Sequence, residues 1–233
     1  MISVVIPTLN VERTLTATLA ALVSAAVDGV VREVIVVDGG SQDATAAIAD
    51  GAGARVIDAP GPRGGQLNRG AKAARSPWLL FLHADTVLAR NWTTEAVEFI
   101  RDIELGHRPD AAAAFRRHSN ERGMKARLLE AGARARSSIL ALPYGDQGLL
   151  ISKNLFDSVG GYRDLPAMED VDLVRRIGRR RLQLFETPAM KTIDRFAESG
   201  RLSRSLRNQL CVAMVGAGLP TTAIVRMYGR AKS

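Results

Sequence analysis

Four short aliphatic runs in the first third of the chain, each stopped by polar residues or glycines, constrain its fold more than any other feature. Ile2 to Ile6 stops at Pro7-Thr8-Leu9-Asn10, and Glu33 to Val37 stops at Asp38-Gly39-Gly40. Arg55-Val56-Ile57 runs into a Gly- and Pro-rich loop, Pro60 to Gly65. Trp78 to Leu82 stops at His83-Ala84-Asp85. Short apolar runs bounded by turn residues read as buried strands. Between them, apolar residues recur at helical spacing: Leu15, Leu19, Leu22 and Ala26, then 44–49, then 66–75.

The alternation continues. Ala96, Phe99, Ile100 and Ile103 mark a helix, Ala111 to Phe115 a strand, residues 121–142 an Arg-rich helix, and Leu149 to Ile151 another strand. Residues 169–180 open with acids and close with arginines, the polarity a helix dipole favours. Two tail helices are parted by Gly218-Leu219-Pro220. Repeated strand–helix units predict an α/β fold: a mostly parallel, Rossmann-like sheet flanked by helices, with a short helical C-terminal annex. At 233 residues, a main domain over 1–195 and a basic annex over 196–233 packed on it account for the chain. The chain is 46% hydrophobic and only 5% aromatic, so aliphatic residues must build the core.

In open α/β sheets, ligands bind beyond the carboxyl ends of the strands. Thr8, Asn10, Asp38, Arg63, His83 and Asp85 all follow strand ends, so four consecutive ends converge on one edge. Asp38 is acceptor-only when ionised and suits a base N–H or a ribose hydroxyl. Asp43 or Ser41 alternatively caps the next helix. Asp85 suits a hard cation that would bridge a diphosphate, or else caps a helix beginning near Thr86. His83 and Asp85, two apart, point the same way if extended. Arg63 in its glycine loop suits a diphosphate. Glu169, Asp170 and Asp172 at a helix start satisfy the dipole, yet a transferase also needs a carboxylate base for its acceptor hydroxyl.

Taken together, the motifs resemble the family-2 glycosyltransferases of GT-A fold. Ser3-Val4-Val5-Ile6-Pro7-Thr8-Leu9-Asn10 resembles their opening strand and nucleotide loop, and Val36-Val37-Asp38-Gly39-Gly40-Ser41-Gln42-Asp43 their second-strand motif. Phe81-Leu82-His83-Ala84-Asp85 stands where they carry Asp-x-Asp, and Glu169-Asp170-Val171-Asp172-Leu173 resembles their Glu-Asp motif. The resemblance implies that Pro7, Thr8, Asn10 and Asp38 frame base and ribose. It implies that Asp85 ligates Mg²⁺ or Mn²⁺ at the donor diphosphate, where Arg63 and His83 are the neighbouring donor-site candidates. Asp170 would be the base and Glu169 its acceptor-side neighbour, with inversion at the transferred sugar and a UDP-linked donor expected. Gly64-Gly65-Gln66-Leu67-Asn68 and Pro143-Tyr144-Gly145-Asp146-Gln147-Gly148 are similar to a bacterial subgroup described as arsenosugar-type or radical-SAM-associated, which implies that Asp146 and Gln147 lie near the acceptor or the diphosphate.

Departures from the family bear on these roles. Gly39 stands where a second Asp is usual, Val11 where an acid often follows Asn10, and His83 replaces the first Asp of Asp-x-Asp. The Gln-x-x-Arg-Trp motif of processive synthases is missing, so transfer of one sugar is expected. A nucleotidyltransferase, which should carry a longer glycine-rich loop after its first strand, and a non-catalytic sugar-nucleotide binder are the alternatives.

Charge and cysteine content add outer bounds. Net charge is +8, and from Arg175 onward eleven arginines and two lysines face three acids, a balance of +10. That face suits phosphates or an anionic membrane surface, or is simply solvated; no nucleic-acid-reading motif accompanies it. Arg201, Arg204 and Arg207 flank Leu202, Leu206 and Leu210 as in an amphipathic helix. Cys211 is the only cysteine, which fits a reducing compartment. No signal peptide is expected, and Cys211 to Val225 is too short and broken to span a bilayer. The expected location is cytoplasmic, with peripheral contact at the inner membrane face.

Overall fold

The computed structural model describes residues 1–118, 147–165 and 168–192. The expected helix over 121–142, Asp146, the annex over 196–233 and its Arg201–Arg207 face lie outside the described residues.

Strands β1 (Ile2–Thr8), β2 (Val31–Asp38), β3 (Arg55–Asp58) and β4 (Trp78–Phe81) form a parallel unit in the order β3-β2-β1-β4. Helices α1 (Glu12–Ala20), α2 (Val23–Val27), α3 (Thr45–Gly51) and α4 (Arg63–Ala73) provide the connections. Parallel pairing brings the ends of β1 and β2 level, Thr8 opposite Asp38. Bonds from Gly39 N to Thr8 O (2.8 Å) and from Leu82 N to Val5 O (3.0 Å) continue the register past the strand ends.

Beyond β4 the sheet becomes mixed. Strand β7 (Leu149–Ser152) runs antiparallel to β4 and to β6 (Ala112–His118). Strand β8 (Leu182–Lys191) runs parallel to β6 and antiparallel to β5 (Thr86–Leu88), giving eight strands in the order β3-β2-β1-β4-β7-β6-β8-β5. The remaining helices are α5 (Trp92–Glu104), α6 (Lys153–Ser158) and α7 (Glu169–Ile177).

Strand alternation splits the core into two layers. Val4, Ile6, Leu80 and Leu82 pack on one face with Leu15, Trp92, Phe99 and Phe185. Val5, Val37, Leu79 and Phe81 pack on the other with Leu67, Tyr162, Leu173 and Ile177. Gly70 lets α4 lie directly on this second face, since a Cβ there would stand 2.3 Å from Val5 Cγ1.

Local expectations are corrected in four places. The helix read through Leu15, Leu19, Leu22 and Ala26 is two short helices with a break at Ala21-Leu22. Helix α4 starts at Arg63, not 66, because Pro62 sets an extended approach (φ −60°, ψ 147°) and both following glycines turn helical. Thr86 begins strand β5, so Asp85 caps no helix there. Helix α7 stops at Ile177, where Gly178 takes a left-handed φ of 84°.

Candidate functional site

The parallel ends open into a cleft of ≈ 520 Å³. Pro7, residues 10–14 and Asp43 line one side, and Arg63, His83, Asp85 and Thr192 the other. A narrower recess, with room for about one water molecule, adjoins it and shares Pro7, Arg63 and His83. Leu67, Phe81, Leu149, Tyr162 and Val174 give the recess an apolar lining, and Asp170 lies at it.

The rim of the larger cleft is two loops locked reciprocally. Asn10 N donates to Ser41 Oγ (2.9 Å), Val11 N to Thr45 Oγ1 (2.9 Å) and Glu12 N to Asp43 Oδ2 (3.2 Å). In return Gln42 N donates to Asn10 Oδ1 (2.8 Å) and Ala44 N to Glu12 Oε2 (3.0 Å). The lock holds Asn10 at a φ of 52°, which Asn tolerates better than most side chains. Asp43 also accepts from Thr45 N (3.0 Å), a local turn ahead of α3, whose N-cap is Ala44 with no side-chain cap, so neither Asp43 nor Ser41 is the helix cap.

Asp38 serves this rim from below. It is 3% exposed. Its Oδ1 accepts from Thr8 Oγ1 (2.9 Å) and Ser41 Oγ (2.6 Å), its Oδ2 from Gly40 N (3.1 Å) and Ser41 N (2.7 Å). Burial pushes this carboxyl up, but the four hydrogen bonds outweigh it and hold the group below its usual value. Both oxygens are therefore engaged with the chain itself, and Thr8 likewise turns inward at 2% exposure. Gly39, where the family has an acid, is crowded: a Cβ would stand 3.2 Å from Thr8 O and 2.5 Å from the movable end of Gln66, Nε2.

A line of alternating charge crosses the opposite wall. Glu169 Oε1 lies 3.4 Å from Arg63 Nε, and Arg63 Nη2 contacts His83 Nε2. His83 Nδ1 faces Asp85 Oδ1 at 3.7 Å, and Asp85 Oδ2 meets Lys191 Nζ at 3.1 Å. Arginine only donates, so His83 Nε2 is the acceptor and a neutral ring carries its proton on Nδ1, toward Asp85. Burial, then the charges of Arg63 and Lys191, hold His83 well below the usual imidazole range, so the ring is neutral. His83 and Asp85 converge as expected, but through a turn after β4, with Thr86 N donating to His83 O (3.1 Å), and not in extended geometry.

The donor set fits a hard cation. Asp85 Oδ1 is buried with no hydrogen-bond partner. Among the described residues, no group of three His, Cys, Asp or Glu side chains gathers to hold an ion. Mg²⁺ in nucleotide sites characteristically takes one or two carboxylates and completes its shell with phosphate oxygens and water. One orphan carboxylate oxygen beside a wide cleft matches that pattern.

At the start of α7 the three acids separate. Glu169 is 5% exposed and stands over Gly64, where a Cβ would meet Arg163 O at 2.5 Å. Burial raises its carboxyl, Arg63 opposes this and Asp170 adds to it, and the net direction is upward. Asp170 accepts from Val171 N (2.8 Å) at the recess. Asp172 holds Arg176 (2.6 Å) and Arg163 (3.3 Å), while Arg176 also reaches Gly161 O (2.7 Å). Asp172 thus braces the segment before α7. Gln147 is 1% exposed and donates to Phe115 O (2.9 Å), and it is not among the residues that line either cleft.

Lys191 and Thr192 were not anticipated, because β8 carries no clear period-two pattern. Tyr162 also escaped notice. It is buried between Phe81 and Phe156, with ring centroids at 5.1 and 5.7 Å, and only its position between Gly161 and the acidic helix start hinted at a site.

The family model for glycosyl transferase family 2 matches residues 3–160. Comparison with curated proteins gave no match. Among solved structures, glucosyl-3-phosphoglycerate synthase from Mycobacterium tuberculosis, in complex with Mn²⁺, UDP and glucosyl-3-phosphoglycerate, is similar with a TM-score of 0.62 at 24% identity, covering 94% of this chain and 81% of that one. S. aureus TarS is similar with a TM-score of 0.60 at 18% identity, covering 96% of this chain and 68% of that one. At these identities the likeness bears on the fold. Among the described residues, no helix is long and apolar enough to cross a membrane.

Proposed function

The chain belongs to glycosyl transferase family 2, and from that premise we propose that it moves one sugar from a UDP-linked donor to an acceptor hydroxyl, inverting the anomeric carbon, with Mg²⁺ or Mn²⁺ at the donor diphosphate. The observation that carries this reading is the shared wall: Pro7, Arg63 and His83 line both the wide cleft beside Asp85 and the recess beside Asp170. A donor seated in the first would present its sugar to the second.

Each residue then has a task. Pro7, Asn10 and the loop that Thr8 and Asp38 hold frame the base and ribose. Arg63 gives a guanidinium to the diphosphate, and His83 stands between Arg63 and Asp85, its Nδ1 facing Asp85 Oδ1 at 3.7 Å. A divalent cation on Asp85 would offset charge on the leaving nucleotide. Asp170 takes the proton of the acceptor hydroxyl as the bond to the sugar forms on the face opposite the nucleotide. The apolar lining of the recess limits water there and favours transfer over hydrolysis. Glu169 holds Arg63 and borders the acceptor side, with Asp146 and Gln147 assigned to the same side.

The UDP-linked donor and the cation gain support from glucosyl-3-phosphoglycerate synthase, which is described in complex with Mn²⁺ and UDP-glucose. The Gly64–Asn68 and Pro143–Gly148 motifs support the arsenosugar-type subgroup, a name that fixes no acceptor. A cytoplasmic location with peripheral contact at anionic membrane, through residues 196–233, belongs to the same reading. A thermal-shift series with UDP-, GDP- and dTDP-sugars, with and without Mn²⁺, tests it. The largest shift is expected for a UDP-sugar with Mn²⁺, about 2.7 kcal/mol at 100 times Kd; no shift with any nucleotide sugar refutes it.

A further inference from the structure

A lysine beside the cleft has no part in the roles above. Lys191 is the last residue of β8, and its Nζ lies 3.1 Å from Asp85 Oδ2. Sheet register delivers it there: Lys191 pairs with Thr86 across β8 and β5, and Thr192 N donates to Asp85 O at 2.7 Å. The strand end is thus tied, backbone to backbone, to the carboxylate it faces. Two oxygens on this wall have no partner, Asp85 Oδ1 and Thr192 Oγ1, and both residues line the cleft.

The electrostatic consequence is direct. A carboxylate capped by an ammonium is already neutralised. A divalent cation arriving at Oδ1 meets a positive charge on the same carboxylate, and the two cations repel. The Lys191 side chain is 51% exposed and flexible enough to leave. Its natural destination is the next negative charge in the cleft, the nonbridging oxygens of a bound diphosphate. We propose that Lys191 is a resident counter-ion of Asp85, displaced by the divalent cation and passed on to the donor diphosphate. This rests on the donor reading given above. Cation and nucleoside diphosphate then bind with mutual reinforcement: each removes a charge conflict that the other would face alone.

The full chain carries the test. Mn²⁺ uptake without nucleotide is followed by the loss of the free-ion paramagnetic resonance signal, and UDP and uridine are titrated by calorimetry at saturating Mn²⁺. In Lys191→Met, Mn²⁺ alone should bind about fivefold tighter, the range of an exposed ion pair. UDP should bind about fivefold weaker, with uridine unchanged. Lys191→Arg, which keeps the charge, should follow wild type. Asp85→Asn combined with Lys191→Met should bind Mn²⁺ no better than Asp85→Asn alone; a gain that persists without Asp85 overturns the proposal. Unchanged Mn²⁺ affinity in Lys191→Met overturns the role of Lys191 alone, whereas wild-type protein that takes up neither UDP nor a UDP-sugar overturns the donor reading beneath it.

Discussion

Arg63→Met keeps most of the length of the side chain and deletes its charge. Two neighbours lose their partner: His83 Nε2 and the buried Glu169 carboxylate at 3.4 Å. Removing one member of a buried pair costs about 3–5 kcal/mol. The Arg63 side chain is 36% exposed, so water screens part of the interaction. The expected loss is about 2 kcal/mol at pH 7.5, a fall in Tm of roughly 4–8 °C for a chain of this size. The loss depends on pH with a definite sign. Burial raises the Glu169 carboxyl above its ordinary 4.5, Arg63 pulls it back and Asp170 adds to the rise. Without Arg63 it rises further. A carboxyl whose folded value lies above its unfolded value contributes fully below the unfolded value, and its contribution is lost as pH climbs through the folded value. The penalty of the variant should therefore be large at pH 7.5 and shrink toward pH 5. Urea unfolding of wild type and variant at both pH values measures it. An equal penalty at the two would show that Arg63 acts by packing and not by charge.

Two further substitutions separate the acids. Asp85→Ala should abolish Mn²⁺-dependent donor binding in calorimetry while circular dichroism stays native, and His83→Ala should weaken it less; unchanged donor affinity with Mn²⁺ present would refute the assignment of Asp85. Asp172→Ala should cost about 3 kcal/mol by stranding Arg176, measured by denaturant unfolding, with the kcat of the folded protein largely preserved.

The strand ends were legible because their signals are local. Pro7, the glycines after Asp38 and the polar turn at His83 each stop an aliphatic run within a residue or two of where the strand ends. In the other half of the sheet β6 and β7 were legible as apolar runs, whereas β5 and β8 were not. β5 has three residues, too few for a period, and β8 reads Leu-Gln-Leu-Phe-Glu-Thr-Pro-Ala-Met-Lys, with Pro188 inside it. Pairing on both sides, with β6 and β5, stabilises it there, and the register slip near Ala114–Arg116 accommodates it. Lys191 and Thr192 were lost with β8. The start of α4 was misplaced because Gly64 and Gly65 read as loop, whereas Gly64 is needed for close approach to Arg163 O. Residue type, its place at a strand end and the family resemblance assigned Asp38 to the donor; four hydrogen bonds from the chain itself already fill it.

The central claim is that Asp170 takes the acceptor proton in the recess, while the donor sits in the adjoining cleft that shares Pro7, Arg63 and His83 with it. Asp170→Asn keeps the shape of the side chain and removes the proton acceptor. Steady-state transfer kinetics with a UDP-sugar, paired with calorimetric donor binding, test the claim directly. A general base contributes about 10²–10⁴-fold, so kcat should fall by at least about a hundredfold. The fall in kcat/KM should match it, since the interaction is made only in the transition state, and the donor Kd should stay near wild type. Turnover within a few-fold of wild type would contradict the account and return the role of base to Glu169.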